Sequence, residues 1–117
     1  MTEGNVVLAR RSSGSVELVS LAGTLDAWSE PDVRAALKAV LAEGRSLLVL
    51  DVSGLKRVYS TGLSAFLSVL KAARAAGGDV VLLGPSTSVL AVLRLTRLDQ
   101  ILESFDDEGA ALGRLTA

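Results

Sequence analysis

Ser60 and Thr61 are the residues best placed for chemistry in this chain. They lie in the segment Asp51-Val52-Ser53-Gly54-Leu55-Lys56-Arg57-Val58-Tyr59-Ser60-Thr61-Gly62-Leu63, which joins an apolar run to an amphipathic one. The 117 residues include neither histidine nor cysteine. A Ser-His-Asp triad is therefore impossible, as are disulfides, thiolate metal sites and thiol nucleophiles. A hydroxyl at this place has two readings, a structural one and a switch. Ser60 stands just before a helical apolar stripe, where its hydroxyl is expected to bond the N–H of Gly62 or Leu63. Read plainly, that is an N-cap worth about 1 kcal/mol. Read as a switch, the same place suits a phosphoryl group, which adds about −1.5 to −2 charge opposite free amide N–H groups and the positive end of a helix dipole. The fold would survive, and a partner touching that helix start would be repelled.

The elements that must position this segment follow from periodicity. Val6–Ala9 and Ser15–Leu21 read as a β-hairpin across a polar turn at Arg10–Gly14, with Gly23 ending the second strand. Ser29-Glu30-Pro31-Asp32 predicts a helix start with Ser29 as cap and Asp32 at the capping-box position. Val33, Leu37, Val40 and Leu41 then follow helical spacing up to Gly44. Ser46–Val52 is a continuous apolar strand of the kind covered on both faces. A helix carrying Leu63, Phe66, Leu67, Leu70 and Ala73 ends at Gly77-Gly78. Asp79–Leu83 is another buried strand, stopped by Gly84-Pro85. Ser86 or Ser88 caps a helix through Leu95, whose wide apolar face means either deep burial or a partner-facing patch. Ile101–Phe105 is a weak fifth strand and Asp106–Leu115 a last helix. The order β-β-α-β-α-β-α-β-α predicts one α/β domain over residues 1–117 with its ordered core at about 6–115.

Composition narrows the function classes. Net charge is −1, charged residues make up 21%, and mean hydropathy is +0.46, which suits a domain with a real core. Neither nucleic acid nor an anionic membrane is expected on charge grounds, and one Trp, one Tyr and two Phe make no stacking platform. No apolar run approaches the roughly 20 residues of a membrane span, and no signal peptide is visible at Val6–Ala9. A cytoplasmic protein without metal or cofactor is expected.

Two motifs carry a family resemblance. The run from Asp51 through Ser53, Gly54 and Leu55 to Val58-Tyr59-Ser60-Thr61-Gly62-Leu63 resembles the signature of the STAS-domain anti-sigma factor antagonists, in which a strand ending in Asp-x-Ser leads to an Asp-Ser-Ser/Thr-Gly-Leu turn. Gly23-Thr24-Leu25-Asp26 matches that family's Gly-x-Leu-Asp motif ahead of its first helix. The resemblance implies a mixed β-sheet flanked by helices and no enzymatic activity. It further implies binding to an anti-sigma factor serine kinase, which frees a sigma factor. Phosphorylation by that kinase turns binding off, and a PP2C-type serine phosphatase resets it. Ser60 corresponds to the phospho-acceptor, Thr61 and Gly62 complete the turn, and Asp26 falls on the partner-facing side. Tyr59 stands where the family commonly has Asp.

Other readings stay beside this one. The domain would also serve as a STAS binding or scaffold module without phosphorylation, for example a soluble subunit of a lipid-transport complex. A receiver-like phosphotransfer or nucleotide-handling role for Asp51, with Thr87 as accessory, requires an acidic pair after the first strand to hold Mg²⁺, and that place holds Arg10-Arg11. Asp51 is instead expected to bond turn amides around Ser53 and Gly54. Gly84–Ser88 lacks the phosphate-loop pattern and reads as a turn with a cap. Asp106-Asp107-Glu108 reads as a solvated helix start.

Overall fold

The computed structural model describes residues 6–116. Strands β1 (Val6–Ser13) and β2 (Val16–Leu25) form the hairpin, followed by α1 (Glu30–Ala42), β3 (Leu47–Val58), α2 (Ser64–Ala75), β4 (Asp79–Leu83), α3 (Thr87–Leu95), a 3₁₀ turn at Leu98–Gln100, β5 (Ser104–Phe105) and α4 (Glu108–Thr116). The sheet runs β1-β2-β3-β4-β5, with β1 antiparallel to β2 and every other pair parallel. This is the expected α/β class and the expected element order.

Burial explains why the central strands read as unbroken apolar runs. In β4, Val80 and Leu82 join a core with α1, α2 and α3, while Val81 and Leu83 join a smaller one with Ala111 and Leu115 of α4. β3 divides likewise, Leu48, Leu50 and Val52 going to the larger core and Val49 to the smaller. With both faces covered, alternation disappears. The imperfect pattern of β2 has the same cause: Val16 and Leu18 face α4, while Val19, Leu21 and Leu25 face the three-helix side.

Four boundaries differ from the sequence expectations. Arg10–Ser13 is strand, not turn; the hairpin closes on Gly14-Ser15 alone, with Gly14 at φ +59. A two-residue loop of this kind requires such a residue. The polar side chains there are used on one carboxylate: Arg10 Nε and Ser12 Oγ donate to buried Glu17 at 2.7 and 2.6 Å. Gly23 lies within β2 rather than ending it. β3 continues six residues past Val52. The fifth strand shrinks to Ser104–Phe105, because Leu98–Gln100 coil into a 3₁₀ turn that buries Leu102.

The helix starts also differ in detail. Ser29 has helical dihedrals and makes no side-chain cap to α1. Its hydroxyl donates to the Thr24 carbonyl (2.9 Å) and accepts from the Asp26 amide (3.0 Å). Ser86, in contrast, caps α3 by accepting from Val89 N, and Asp107 caps α4 through Ala110 N. In α3, Val89 and Leu93 are buried, Leu90 and Val92 half-buried, and Leu95 is 84% exposed, so burial is the rule on this helix and Leu95 its exception. Among the described residues no helix is long and apolar enough to cross a membrane.

Candidate functional site

The site forms where β3 outgrows β4. The last β3–β4 pair is Asp51↔Leu83, yet β3 remains paired with β2 to Leu25↔Val58. Two slips in register make this possible. Between Ser20↔Asp51 and Ala22↔Gly54, β3 advances three residues against two on β2; between Gly23↔Leu55 and Thr24↔Arg57, Lys56 is the extra residue. Such bulges bend a strand and re-aim its end. Asp51 pins the first one: its Oδ1 accepts from Ser53 N (3.1 Å) and Ser53 Oγ (2.7 Å). The expected Asp51 contact is thus made to Ser53 and not to Gly54. Gly54 is required for another reason, since a Cβ there would stand 2.9 Å from the Leu21 carbonyl oxygen.

Beyond Val58 the chain turns into α2. Tyr59 N donates to the Leu25 carbonyl (2.9 Å), fastening the turn to the end of β2. A Cβ on Gly62 would come within 2.8 Å of the Leu25 backbone, so this glycine permits the close approach of the two motifs. The N–H groups of Gly62 and Leu63 bond the carbonyls of Tyr59 (2.8 Å) and Ser60 (3.2 Å). The expected N-cap by the Ser60 hydroxyl is therefore absent: both donors are taken by backbone, and α2 has no side-chain cap. Ser60 and Thr61 are exposed, while Gly62 is buried. Among the described residues, the amide N–H groups of Ser60, Thr61 and Ser64 have no acceptor, and they lie at the positive end of α2.

Asp26 stands across this junction at the end of β2. Its Oδ1 accepts from Trp28 N (2.9 Å) and Ser29 N (3.0 Å), so it caps the turn that leads into α1. Its geometry is that of a local fastener at the site's edge, half-buried, with Trp28 held 72% exposed beside it. The sequence motifs Gly23–Asp26 and Tyr59–Gly62, far apart in the chain, thus meet at the carboxyl ends of two adjacent parallel strands. In open parallel sheets this is the end at which ligands bind.

Two open grooves flank the turn. One of about 240 Å³ lies between Ser60, Leu63, Ser64 and Leu67 on one side and Thr96 and Leu98 on the other. The second, about 360 Å³, is lined by Lys56, Arg57, Val58, Tyr59, Ser88 and Val92. Lys56 and Arg57 were not singled out from sequence, where they read as polar residues of a turn. Their place inside a bulged strand, between buried Leu55 and Val58, is the signal that makes them notable. Among the described residues, no cluster of acidic side chains could hold a metal ion, so the receiver-like reading of Asp51 has no cation site there.

The family model described as "Mlab, STAS domain" matches residues 8–103. The chain belongs to the STAS domain family. This STAS domain is 27% identical over 109 residues to the anti-sigma-B factor antagonist of Listeria monocytogenes serovar 1/2a, covering 93% of this chain and 95% of that one. In fold it is similar to an anti-sigma factor antagonist from Mycobacterium paratuberculosis, with TM-score 0.84 at 19% identity, covering 99% of this chain and 98% of the other. It is also similar to the Bacillus cell fate determinant SpoIIAA in its phosphorylated form, with TM-score 0.69 at 21% identity, covering 94% of this chain and 98% of that one. The family expected from the two motifs is the family found.

Proposed function

We propose that this STAS domain is an anti-sigma factor antagonist that binds an anti-sigma factor serine kinase through the Ser60 end of its sheet and so releases a sigma factor. Phosphorylation of Ser60 ends that binding, and a PP2C-type serine phosphatase restores it. The observation that carries this reading is the state of Ser60: an exposed hydroxyl on a turn, with unoccupied amides at Thr61 and Ser64 and the Asp26 motif fastened beside it.

The transfer requires nothing catalytic from this chain. Ser60 Oγ attacks the γ-phosphorus of ATP held by the kinase, the bond from that phosphorus to the β,γ-bridging oxygen breaks, ADP leaves, and the hydroxyl proton passes to a base of the kinase. The product dianion faces the positive end of α2, which favours it by charge and by its free N–H donors. What changes is the surface the partner meets, in size and in sign. Thr61, Gly62 and Asp26 belong to the same contact area, Gly62 by bringing the turn against Leu25 and Asp26 by holding the α1 approach.

Phosphopeptide mapping after incubation with the cognate kinase tests the reading. Label on the peptide containing Ser60, lost in Ser60→Ala, is the expected result; undiminished label in that variant moves the acceptor elsewhere, Thr61 first. Tyr59, in the place of the family's usual Asp, favours a second reading. In it the domain is a STAS binding module that is never phosphorylated, as in a subunit of a lipid-transport complex. Stable association with transporter subunits and no label at Ser60 would select it.

A further inference from the structure

The chain carries a net charge of −1, yet two of its segments carry basic charge alone. Residues 52–64, which form the β3 extension and the Ser60 turn, contain Lys56 and Arg57 and no acid; residues 84–98, which lead into and form α3, contain Arg94 and Arg97 and no acid. All four cations are exposed, and among the described residues none has a carboxylate within ion-pair distance. Elsewhere the arginines are matched: Arg10 with Glu17 and Glu43, Arg34 with Glu30, Arg74 and Arg114 with Asp79. The groove of about 360 Å³ between β3 and α3 is lined by two of the four unmatched cations, Lys56 and Arg57.

The backbone beside that groove is also unmatched. β4 leaves β3 after Asp51↔Leu83, and its chain turns away at Gly84, where a Cβ would already lie 3.0 Å from Ser53 Cβ. From Gly54 to Val58 the edge of β3 that faces away from β2 has no strand beside it. Proteins ordinarily cover or blunt such edges, and an exposed one accepts an extended peptide through main-chain hydrogen bonds. Tyr59, 48% exposed, and half-buried Val92 give the groove apolar walls, and Ser88 lies at its mouth.

We propose that this groove receives an extended acidic segment of a partner protein, laid along Gly54–Val58 with its carboxylates toward Lys56 and Arg57. An open strand edge favours a peptide over nucleic acid, whose sugar-phosphate backbone has no amide groups to continue the ladder. The inference rests on the reading that a protein docks at the Ser60 end, and it adds a reason for the switch. Ser60 is three residues from Arg57, at most about 10 Å along the chain, comparable to the screening length at physiological salt. A phosphoryl dianion there weakens the field that attracts the acidic segment, before any direct clash.

The test uses the full unphosphorylated chain labelled for NMR and an N-acetylated hexapeptide alternating glutamate and valine. The expected result is a set of amide shifts confined to Lys56–Tyr59, Ser88 and Val92, fading as salt rises. The same peptide with lysine for glutamate should give none. The double variant Lys56→Glu, Arg57→Glu should weaken binding at least tenfold while its melting temperature stays unchanged, since both side chains are exposed. Shifts elsewhere, equal response to both peptides, or no response at millimolar peptide would overturn the proposal. Tight binding of an oligothymidylate at the same amides would also overturn it and give the cations to nucleic acid. Kinase labelling of Ser60 in the unsubstituted chain separates the two readings: label there, together with no peptide response in the same chain, removes the groove and leaves the switch.

Discussion

Ser60 has room for a phosphoryl group because its hydroxyl is not needed by the fold. The amides it was expected to cap are bonded by the carbonyls of Tyr59 and Ser60, so replacing the hydroxyl removes no internal contact. Ser60→Ala is therefore expected to change stability by less than about 0.5 kcal/mol, to keep partner affinity and to lose phosphate incorporation. Ser60→Asp is expected to lower partner affinity in calorimetry, by less than the phosphate does, because one carboxylate carries less charge. Gly62 behaves oppositely. A methyl group there meets the Leu25 backbone at 2.8 Å, and Gly62→Ala is expected to cost about 1–3 kcal/mol in urea unfolding. At this scale the sequence was legible in residue type and position: a small hydroxyl run ahead of an apolar stripe marks an exposed turn. The hydroxyl's own bonding was not legible, because backbone carbonyls three residues back compete for the same donors, and only the dihedral path of the turn decides between them.

At the scale of elements, β3 carries the account. Ser53-Gly54 reads as a turn because both residue types favour turns, yet the chain uses them for a bulge and remains paired with β2 as far as Val58. A bulge and a turn share composition; what separates them is the neighbouring strand, which local pattern does not reveal. The start of α1 shows the same ambiguity. Ser29 and Asp32 match the capping box, but Asp26 accepts from Trp28 N and Ser29 N one turn earlier and makes the Ser29 cap unnecessary. Asp26→Ala is accordingly expected to destabilise the domain by about 1 kcal/mol, read as a lower urea midpoint, besides any effect on binding. On α3 the wide apolar face did not tell buried from exposed positions in the sequence: Val89 and Leu93 are buried, whereas Leu95 at the helix end is exposed. Leu95→Asn is expected to leave the melting temperature unchanged, which would mark Leu95 as surface rather than core.

Across the whole molecule, the two ends of the parallel sheet do different work. The carboxyl ends of β2 and β3 gather the Gly23–Asp26 and Tyr59–Gly62 motifs, while the opposite end is held by a carboxylate network. There Glu17, 3% exposed, accepts from Ser12 and Arg10, with Arg45 Nε at 3.4 Å, and Arg10 also bonds Glu43. The Ser12 hydroxyl and the Arg10 guanidinium hold the Glu17 carboxyl below its ordinary 4.5, and Arg10 does the same to Glu43. A carboxyl lowered by folding stabilises the native state above its unfolded-state value, and that contribution is lost as pH falls through the lower folded-state value. Stability is therefore expected to be flat on this account near neutrality and to fall below pH 4.5, with a shallower fall in Glu17→Gln. Element order and class were legible in the sequence from alternating strands and helices. The consecutive strand order was not, because it depends on which edge each crossover returns to. The decisive measurement is the affinity of the proposed serine-kinase partner for the unmodified domain and for the domain phosphorylated at Ser60, by calorimetry in one buffer. A tenfold or larger loss on phosphorylation, reversed by the phosphatase, is the expected result; equal affinities for the two forms would contradict the account.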